Sequence, residues 1–91
     1  MRFAYFYIVR ASARVRDVAP AHAEYWRSLR LQAYEGGPFE DRTGGLIVFD
    51  TESGEVAEQH VAKDPFVEED LLSSRSLKEW IPEAATKEAA A

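Results

Sequence analysis

The chain has 91 residues, enough for one domain and too few for two. It contains no cysteine, which excludes disulfides and thiolate metal sites. Its net charge of −5 opposes binding to phosphate backbones, so we expect no nucleic-acid partner. The opening apolar segment is short and ends at Arg10, which predicts no membrane span and no cleaved leader. We therefore expect a soluble cytoplasmic protein.

The first half of the chain predicts a strand followed by a helix. Residues 3–9 are aromatic and β-branched and are apolar on both faces, which predicts a central strand covered on both sides. Residues 21–32 are rich in helix formers, and Pro20 suits the first turn of such a helix. The alternative is a longer helix that begins near Ser12 and is kinked at Pro20.

The second half predicts three strands, one helix and one further turn. Ser53 is suited to cap the helix, and Asp64 ends it because the residue before a proline disfavours the α region. The strands are predicted at residues 34–37, 46–49 and 74–81, the helix at residues 55–63 and the further turn at residues 66–72. The domain is predicted to cover residues 1–82, and the alanine-rich residues 83–91 are predicted to be a tail.

The order strand, helix, strand, strand, helix, strand is that of the split βαβ arrangement. It predicts a ferredoxin-like α+β fold with a four-stranded antiparallel sheet and two helices on one face. A domain of this size buries a limited fraction of its surface alone, and the other face of the sheet needs an apolar cover. We therefore expect a homodimer with its sheets packed face to face.

His22 is the first candidate for chemistry. It shares a helix face with Trp26 and is expected near the helix start, where burial and the helix dipole would lower the pKa of its imidazole. A neutral imidazole can act as a general base. The alternative is a core histidine that is satisfied by a backbone carbonyl.

Asp41 is the second candidate, because glycines on both sides allow its loop to turn tightly or approach a ligand. A carboxylate there could orient His22 and fix its tautomer. The alternative is that Asp41 caps a turn through its own backbone. Tyr5, Tyr7 and Tyr25 could line a pocket with their hydroxyls, although such residues are more often core or interface aromatics. The two histidines lack the carboxylate spacing of a metal site, so no metal is expected.

Several short segments together resemble the YCII-related family of the dimeric α+β barrel group. The matching segments are FAYFYIVR, APAHAEYWRSL with His22 and Tyr25, GGPFEDRTGGLIVFD with Gly37, Pro38 and Asp41, and AKDPF with Asp64. The resemblance implies a ferredoxin-like subunit, a homodimer, and an active-site pair made by His22 and Asp41. This sequence departs from the family at Glu68-Glu69-Asp70, where members often carry a glycine, and the departure affects the rim of the pocket.

The resemblance also implies a function. One relative is a dehydrochlorinase acting on a chlorinated hydroxyquinol, and muconolactone isomerases share the architecture. The first hypothesis is therefore a lyase or isomerase without a cofactor, in which His22 moves a proton, Asp41 orients it, and Tyr5, Tyr25, Gly37 and Pro38 bind a small molecule. The second hypothesis is a non-catalytic module that binds a small molecule or dimerises. A haem-binding relative of the same architecture is a third.

Overall fold

The computed structural model describes residues 1–83. The elements in chain order are β1 (Arg2–Val9), α1 (Ala13–Ser28), β2 (Gln32–Pro38), β3 (Gly44–Asp50), α2 (Gly54–Ala62), α3 (Pro65–Glu68) and β4 (Leu72–Glu79). The strands form one sheet in the order β2-β3-β1-β4, and every neighbouring pair is antiparallel. This confirms the predicted ferredoxin-like fold. The predicted tail at residues 83–91 lies, except for Glu83, outside the described residues.

Helix α1 begins where the longer of the two predicted helices does. The side chain of Ser12 accepts a hydrogen bond from the backbone N–H of Arg14 and caps the helix, and Pro20 lies inside it. The prediction of a start at Pro20 was wrong, because an N-cap serine satisfies the first turn while a proline in the interior sacrifices one hydrogen bond. Among residues 1–83, no helix has the length and apolar character needed to cross a membrane.

One face of the sheet packs against all three helices. Alternate residues of β1 (Phe3, Tyr5 and Tyr7) are at most 4 % exposed and form the core with cross-strand partners such as Ile47 and Phe49. The helices contribute Val18 and Trp26 from α1, Ala57 and Val61 from α2, and Phe66 from α3, and Leu71 adds a buried side chain just before β4. The alternate aromatic side chains of β1 thus form the surface against which the helices pack.

The other face of the sheet carries no helix of the described residues. Phe6 and its cross-strand partner Leu46 are 45 and 40 % exposed, and Phe39 packs against Phe6 with ring centroids 5.2 Å apart. On the β4 side, the positions paired with β1 on this face are polar, since Phe6 lies opposite Ser76 and Ala4 opposite Lys78. We call the apolar part of this surface, Ala4, Phe6, Ile8, Phe39, Leu46 and Val48, the open face.

Gly44 is required by the close pairing of β1 and β3. A Cβ atom at Gly44 would lie 1.9 Å from the carbonyl oxygen of Tyr7, a distance that only a shift of backbone could relieve. At Gly37 on β2, by contrast, a Cβ atom would meet nothing within 4 Å. The two glycines therefore differ in what they contribute to the fold.

Gly44→Ala is expected to lower the free energy of unfolding by about 1–3 kcal/mol, because the methyl group pushes β3 away from β1. Gly37→Ala is the matched control and should leave stability unchanged or raise it slightly, since alanine costs less entropy than glycine in a strand. Urea denaturation of the two variants measures both. Equal stability of the two variants would contradict the role given to Gly44.

Candidate active site

His22 lies in the third turn of α1 and is oriented by Asp64. Its Nδ1 atom is 2.9 Å from each carboxylate oxygen of Asp64, and the two side chains are buried. A carboxylate can only accept hydrogen bonds, so Nδ1 carries the proton and donates it to Asp64. In the neutral imidazole this leaves the lone pair on Nε2. Asp64 therefore fixes both the orientation and the tautomer of His22.

Asp64 is completely buried and is satisfied by further donors. The indole Nε1–H of Trp26 donates to Oδ2 at 2.8 Å, and the backbone N–H of Phe66 donates to Oδ1 at 2.8 Å. The second bond makes Asp64 the N-cap of α3, with Pro65 in the first helical position. The local sequence Asp-Pro thus fixes the backbone of Asp64. Two side chains of α1, those of His22 and Trp26, then donate hydrogen bonds to its carboxylate.

The other nitrogen of His22 meets the hydroxyl of Tyr7. Nε2 and the phenolic oxygen are 3.1 Å apart. Burial, together with the nearby negative charge of Asp64, raises the pKa of Tyr7 to about 12, so the phenol stays protonated and donates to Nε2. Gly45 makes room for this hydroxyl, because a Cβ atom there would lie 2.4 Å from it. Asp64, His22 and Tyr7 form a continuous chain of hydrogen bonds, which we call the Asp-His-Tyr chain.

The Asp-His-Tyr chain ends at a cavity of about 1120 Å³. The cavity lies between α1 and the β2–β3 hairpin, and His22 and Tyr7 belong to its wall. Small residues on both sides create the space, namely Ala19 and Ala23 on α1 and Gly36 and Gly37 on β2. The ring of Phe66 stacks on the imidazole at 4.3 Å and holds it flat against α3.

Some of the predicted site residues line this cavity and others do not. His22, Gly37 and Pro38 line it. Tyr25 is not among its lining residues and donates its hydroxyl to the carbonyl of His60 at 2.6 Å, while burial raises the pKa of Tyr25 to about 12. Tyr5 lies beneath the cavity in the core, where its hydroxyl has no partner among residues 1–83 and burial raises its pKa.

Asp41 is not brought to His22. Its carboxylate accepts hydrogen bonds from the backbone N–H of Thr43 at 3.1 Å and from the hydroxyl of Thr43 at 2.7 Å, at the exposed tip of the β2–β3 hairpin. These bonds lower the pKa of Asp41. The expected pairing of Asp41 with His22 is therefore replaced by that of Asp64, because a turn satisfies the Asp41 carboxylate locally. A part for Asp41 in the chemistry stays a prediction.

Sequence reasoning missed Asp64 as a functional candidate, and it grouped Tyr7 with Tyr5 and Tyr25 without separating their roles. The Asp-Pro-Phe motif was interpreted as the end of a helix, although an aspartate before a proline is also the signature of an N-cap. His22 was expected near the start of α1, but the helix begins at Ala13, so the dipole at its N-terminus does not act on the imidazole. Tyr7 shares the core-facing side of β1 with Tyr5, and periodicity alone does not separate them.

The departure from the family at Glu68-Glu69-Asp70 has a backbone explanation. Asp70 adopts a left-handed conformation with φ 55°, which favours glycine and which aspartate tolerates better than most residues. Arg10 donates to the backbone carbonyl and to the carboxylate of Asp70, and Arg14 pairs with Glu69 at 2.6 Å. The acidic residues thus attach α3 to the start of α1.

Comparison with known protein families matches residues 1–81 to the YCII-related domain. The chain belongs to the YCII-related family. This assignment confirms the resemblance that the sequence motifs indicated. A search of the curated proteins found no match.

Three solved structures share the fold. The dehydrochlorinase TftG from Burkholderia phenoliruptrix AC1100, which acts on 5-chloro-2-hydroxyhydroquinone and was solved with 2,5-dihydroxybenzoquinone, is 24 % identical, with a TM-score of 0.78 over 89 % of this chain and 94 % of its own. Rv0793 from Mycobacterium tuberculosis is 14 % identical, with a TM-score of 0.52 over 92 % and 97 %. An antibiotic biosynthesis monooxygenase is 13 % identical, with a TM-score of 0.55 over 89 % and 98 %.

Asp64→Asn is expected to destabilise the protein by about 1–3 kcal/mol, because an amide cannot accept from all of the donors around it and its own N–H₂ group faces two of them. Asp41→Asn is the matched control and should change stability by less than about 1 kcal/mol, since Asp41 is exposed. Urea denaturation with tryptophan fluorescence measures both variants. A change at Asp41 as large as that at Asp64 would contradict this assignment of the buried partner.

Proposed function

We propose that the protein is a small-molecule enzyme of the lyase or isomerase type that transfers a proton through His22. The observation that carries the proposal is the Asp-His-Tyr chain, which is buried at Asp64 and opens at His22 and Tyr7 into the cavity. Histidine is the residue best suited to gain and lose a proton near neutral pH. Asp64 takes the orienting role that the sequence had given to Asp41.

The reaction begins when Nε2 of His22 takes a proton from a carbon or hydroxyl of the substrate. Asp64 stabilises the imidazolium that results, because its carboxylate accepts the Nδ1–H bond throughout. In an isomerisation the imidazolium returns the proton to another atom of the substrate. In a dehydrochlorination of a chlorinated hydroxyquinol, the reacting form is the keto tautomer in which the chlorine-bearing carbon carries a hydrogen. His22 takes a ring hydroxyl proton, the O–H electron pair forms a carbonyl, the adjacent ring double bond shifts, and the C–Cl bond breaks as chloride leaves. Positioned acid–base catalysis of this kind contributes roughly two to four orders of magnitude in rate.

Tyr7 is proposed to assist the same step. In the free protein its hydroxyl donates to Nε2. A substrate that takes its place at Nε2 frees this O–H to donate to a substrate carbonyl oxygen, which gains negative charge as the proton leaves. The raised pKa of Tyr7 keeps the donor protonated. Base and oxyanion donor then lie side by side at the wall of one cavity.

The fold neighbour TftG supports this class of substrate. TftG dehydrochlorinates a chlorinated hydroxyquinol, and its structure contains a bound dihydroxybenzoquinone. At 24 % identity the likeness establishes the fold. A small oxygenated ring is the substrate that we infer for this chain, and the cavity of about 1120 Å³ has room for it.

His22→Gln is expected to lower turnover by about two to four orders of magnitude, because glutamine cannot accept and return the proton. The probe is 5-chloro-2-hydroxyhydroquinone, and the measurement is the rate of chloride release. His60→Gln is the matched control, since His60 does not line the cavity, and it should retain wild-type turnover. Turnover by the His22 variant at the wild-type rate would refute the catalytic role.

A non-catalytic binding module is the second candidate. Both ring nitrogens of His22 are already bonded within the protein, and Phe66 stacks on the ring, an arrangement that would also serve to join α1 to α3. The same two variants separate the candidates. A module predicts that His22→Gln loses stability without any enzymatic turnover in the wild type, whereas an enzyme predicts a loss of rate that exceeds any loss of folded protein.

We also propose that two copies of the chain form a homodimer through the open face, as in a dimeric α+β barrel. Phe6 and Leu46 are large, exposed and adjacent at the centre of this face, and a small domain gains stability by covering them. A second copy presents the same apolar surface, which suits a two-fold interface.

Phe6→Glu is expected to convert the dimer to a monomer, because two buried carboxylates would meet across the two-fold axis. Gln59→Glu adds the same charge on the exposed side of α2 and is the matched control, which should stay dimeric. Sedimentation velocity at micromolar protein concentration distinguishes the two states. A wild-type protein that sediments as a monomer would refute the dimer.

A further inference from the structure

We infer that the cavity beside His22 selects substrates that carry a negatively charged oxygen, an inference that rests on the proposed function of the same site. Four arginines line the cavity, namely Arg10, Arg16, Arg27 and Arg42. Within the described residues 1–83, Asp17 is the one carboxylate residue in the lining. The whole chain has 16 acidic residues and a net charge of −5, so the sign of the charge is reversed at this one place.

Helix α1 presents two of these arginines on either side of a small-residue surface. Arg16, Ala19, Ala23 and Arg27 recur at intervals of three and four residues and all line the cavity, so they form one stripe along the helix. The alanines leave the space that a ligand would fill, and an arginine borders this space at each end. The pattern is that of a binding surface with charged ends.

The third and fourth arginines come from outside this stripe. Arg42 lies in the β2–β3 hairpin opposite α1 and has a left-handed backbone with φ 64°. Arg10 follows β1 and is held by Asp70. The cationic groups therefore belong to both walls of the cavity, and a ligand in it would be approached by arginines from α1 and from the hairpin.

Arg16 and Arg42 have free guanidinium groups. Within residues 1–83, neither side chain forms an ion pair or a hydrogen bond, whereas Arg10 pairs with Asp70 and Arg27 with Glu24. Guanidinium groups bind carboxylates and other oxyanions in a planar, bidentate geometry. The ligand chemistry that fits two free guanidiniums is a carboxylate or an ionised enol or phenol. The same charges would stabilise the enolate that forms when His22 removes a proton.

The test compares two probes that differ in charge and hardly in shape. Isothermal titration calorimetry measures the binding of 2,5-dihydroxybenzoate and of the neutral 2,5-dihydroxybenzamide to the full chain. We expect the anion to bind at least tenfold more tightly, with an affinity that falls as salt is raised. The anion of 2,5-dihydroxybenzoquinone is added as a third probe, since tight binding of this anion with weak binding of the benzoate assigns the site to ionised enols rather than carboxylates.

Arg16→Gln and Arg42→Gln should each reduce the preference for the anion about five- to tenfold. Arg75→Gln is the matched control, because it removes the same charge outside the cavity, and it should keep the wild-type preference. Equal affinity for benzoate and benzamide together with no tighter binding of the dihydroxybenzoquinone anion, binding of none of the three probes at millimolar concentration, or the same loss in all three arginine variants would overturn the inference.

The His22→Gln variant separates this inference from the proposed chemistry. If that variant keeps the preference for the anion while turnover is lost, both proposals are supported. If the preference is kept and turnover is the same with and without His22, the anion site stands and the catalytic role fails. If turnover depends on His22 but the wild type binds both probes equally, the chemistry stands and the anion site fails.

Discussion

The buried carboxylate of Asp64 is the constraint on which the rest of the site depends. A charged group that is removed from water is costly unless it is fully hydrogen-bonded, and here His22, Trp26 and the backbone of Phe66 supply the donors. Two of these donors come from α1 and the third from α3, so the site and the packing of the helices form together. The hydrogen bonds that stabilise the buried carboxylate of Asp64 also leave His22 only one tautomer when it is neutral. They orient the other ring nitrogen, Nε2, toward the hydroxyl of Tyr7.

The fold was predictable from the sequence because its signals are local. Alternating aromatic residues identify β1, a run of helix formers identifies the second half of α1, and Ser53 caps α2 as predicted. The partner of His22 was not predictable in the same way. Asp41 and Asp64 are both aspartates beside turn-forming residues, and only the packing of α1 against α3 decides which one reaches the imidazole. Asp41 is satisfied within two residues of itself, at Thr43, and that bond needs no tertiary structure at all.

The two faces of the sheet perform different tasks. The face covered by helices holds the site, and its floor is the aromatic series of β1. The open face is apolar at its centre and polar at Ser76 and Lys78 on the β4 side, which is the composition of a surface with a dry centre and a wet rim. Since Phe6 and Tyr7 are neighbours on β1 and point to opposite faces, the strand that would lie at a subunit interface also carries the proton donor of the site.

The net charge of the whole protein and the charge of the residues that line the cavity have opposite signs. A net charge of −5 keeps polyanions such as nucleic acids away from the surface as a whole. In a cavity of about 1120 Å³, however, a ligand lies within about one screening length, 8–10 Å, of the groups on the walls, so their charges act on it most strongly. Among residues 1–83, the charged residues in that lining are four arginines and one aspartate, and they share it with His22. We propose that the acidic exterior repels large anions while the arginines of the cavity bind small ones, so that the chemistry proposed for His22 acts on small anionic molecules.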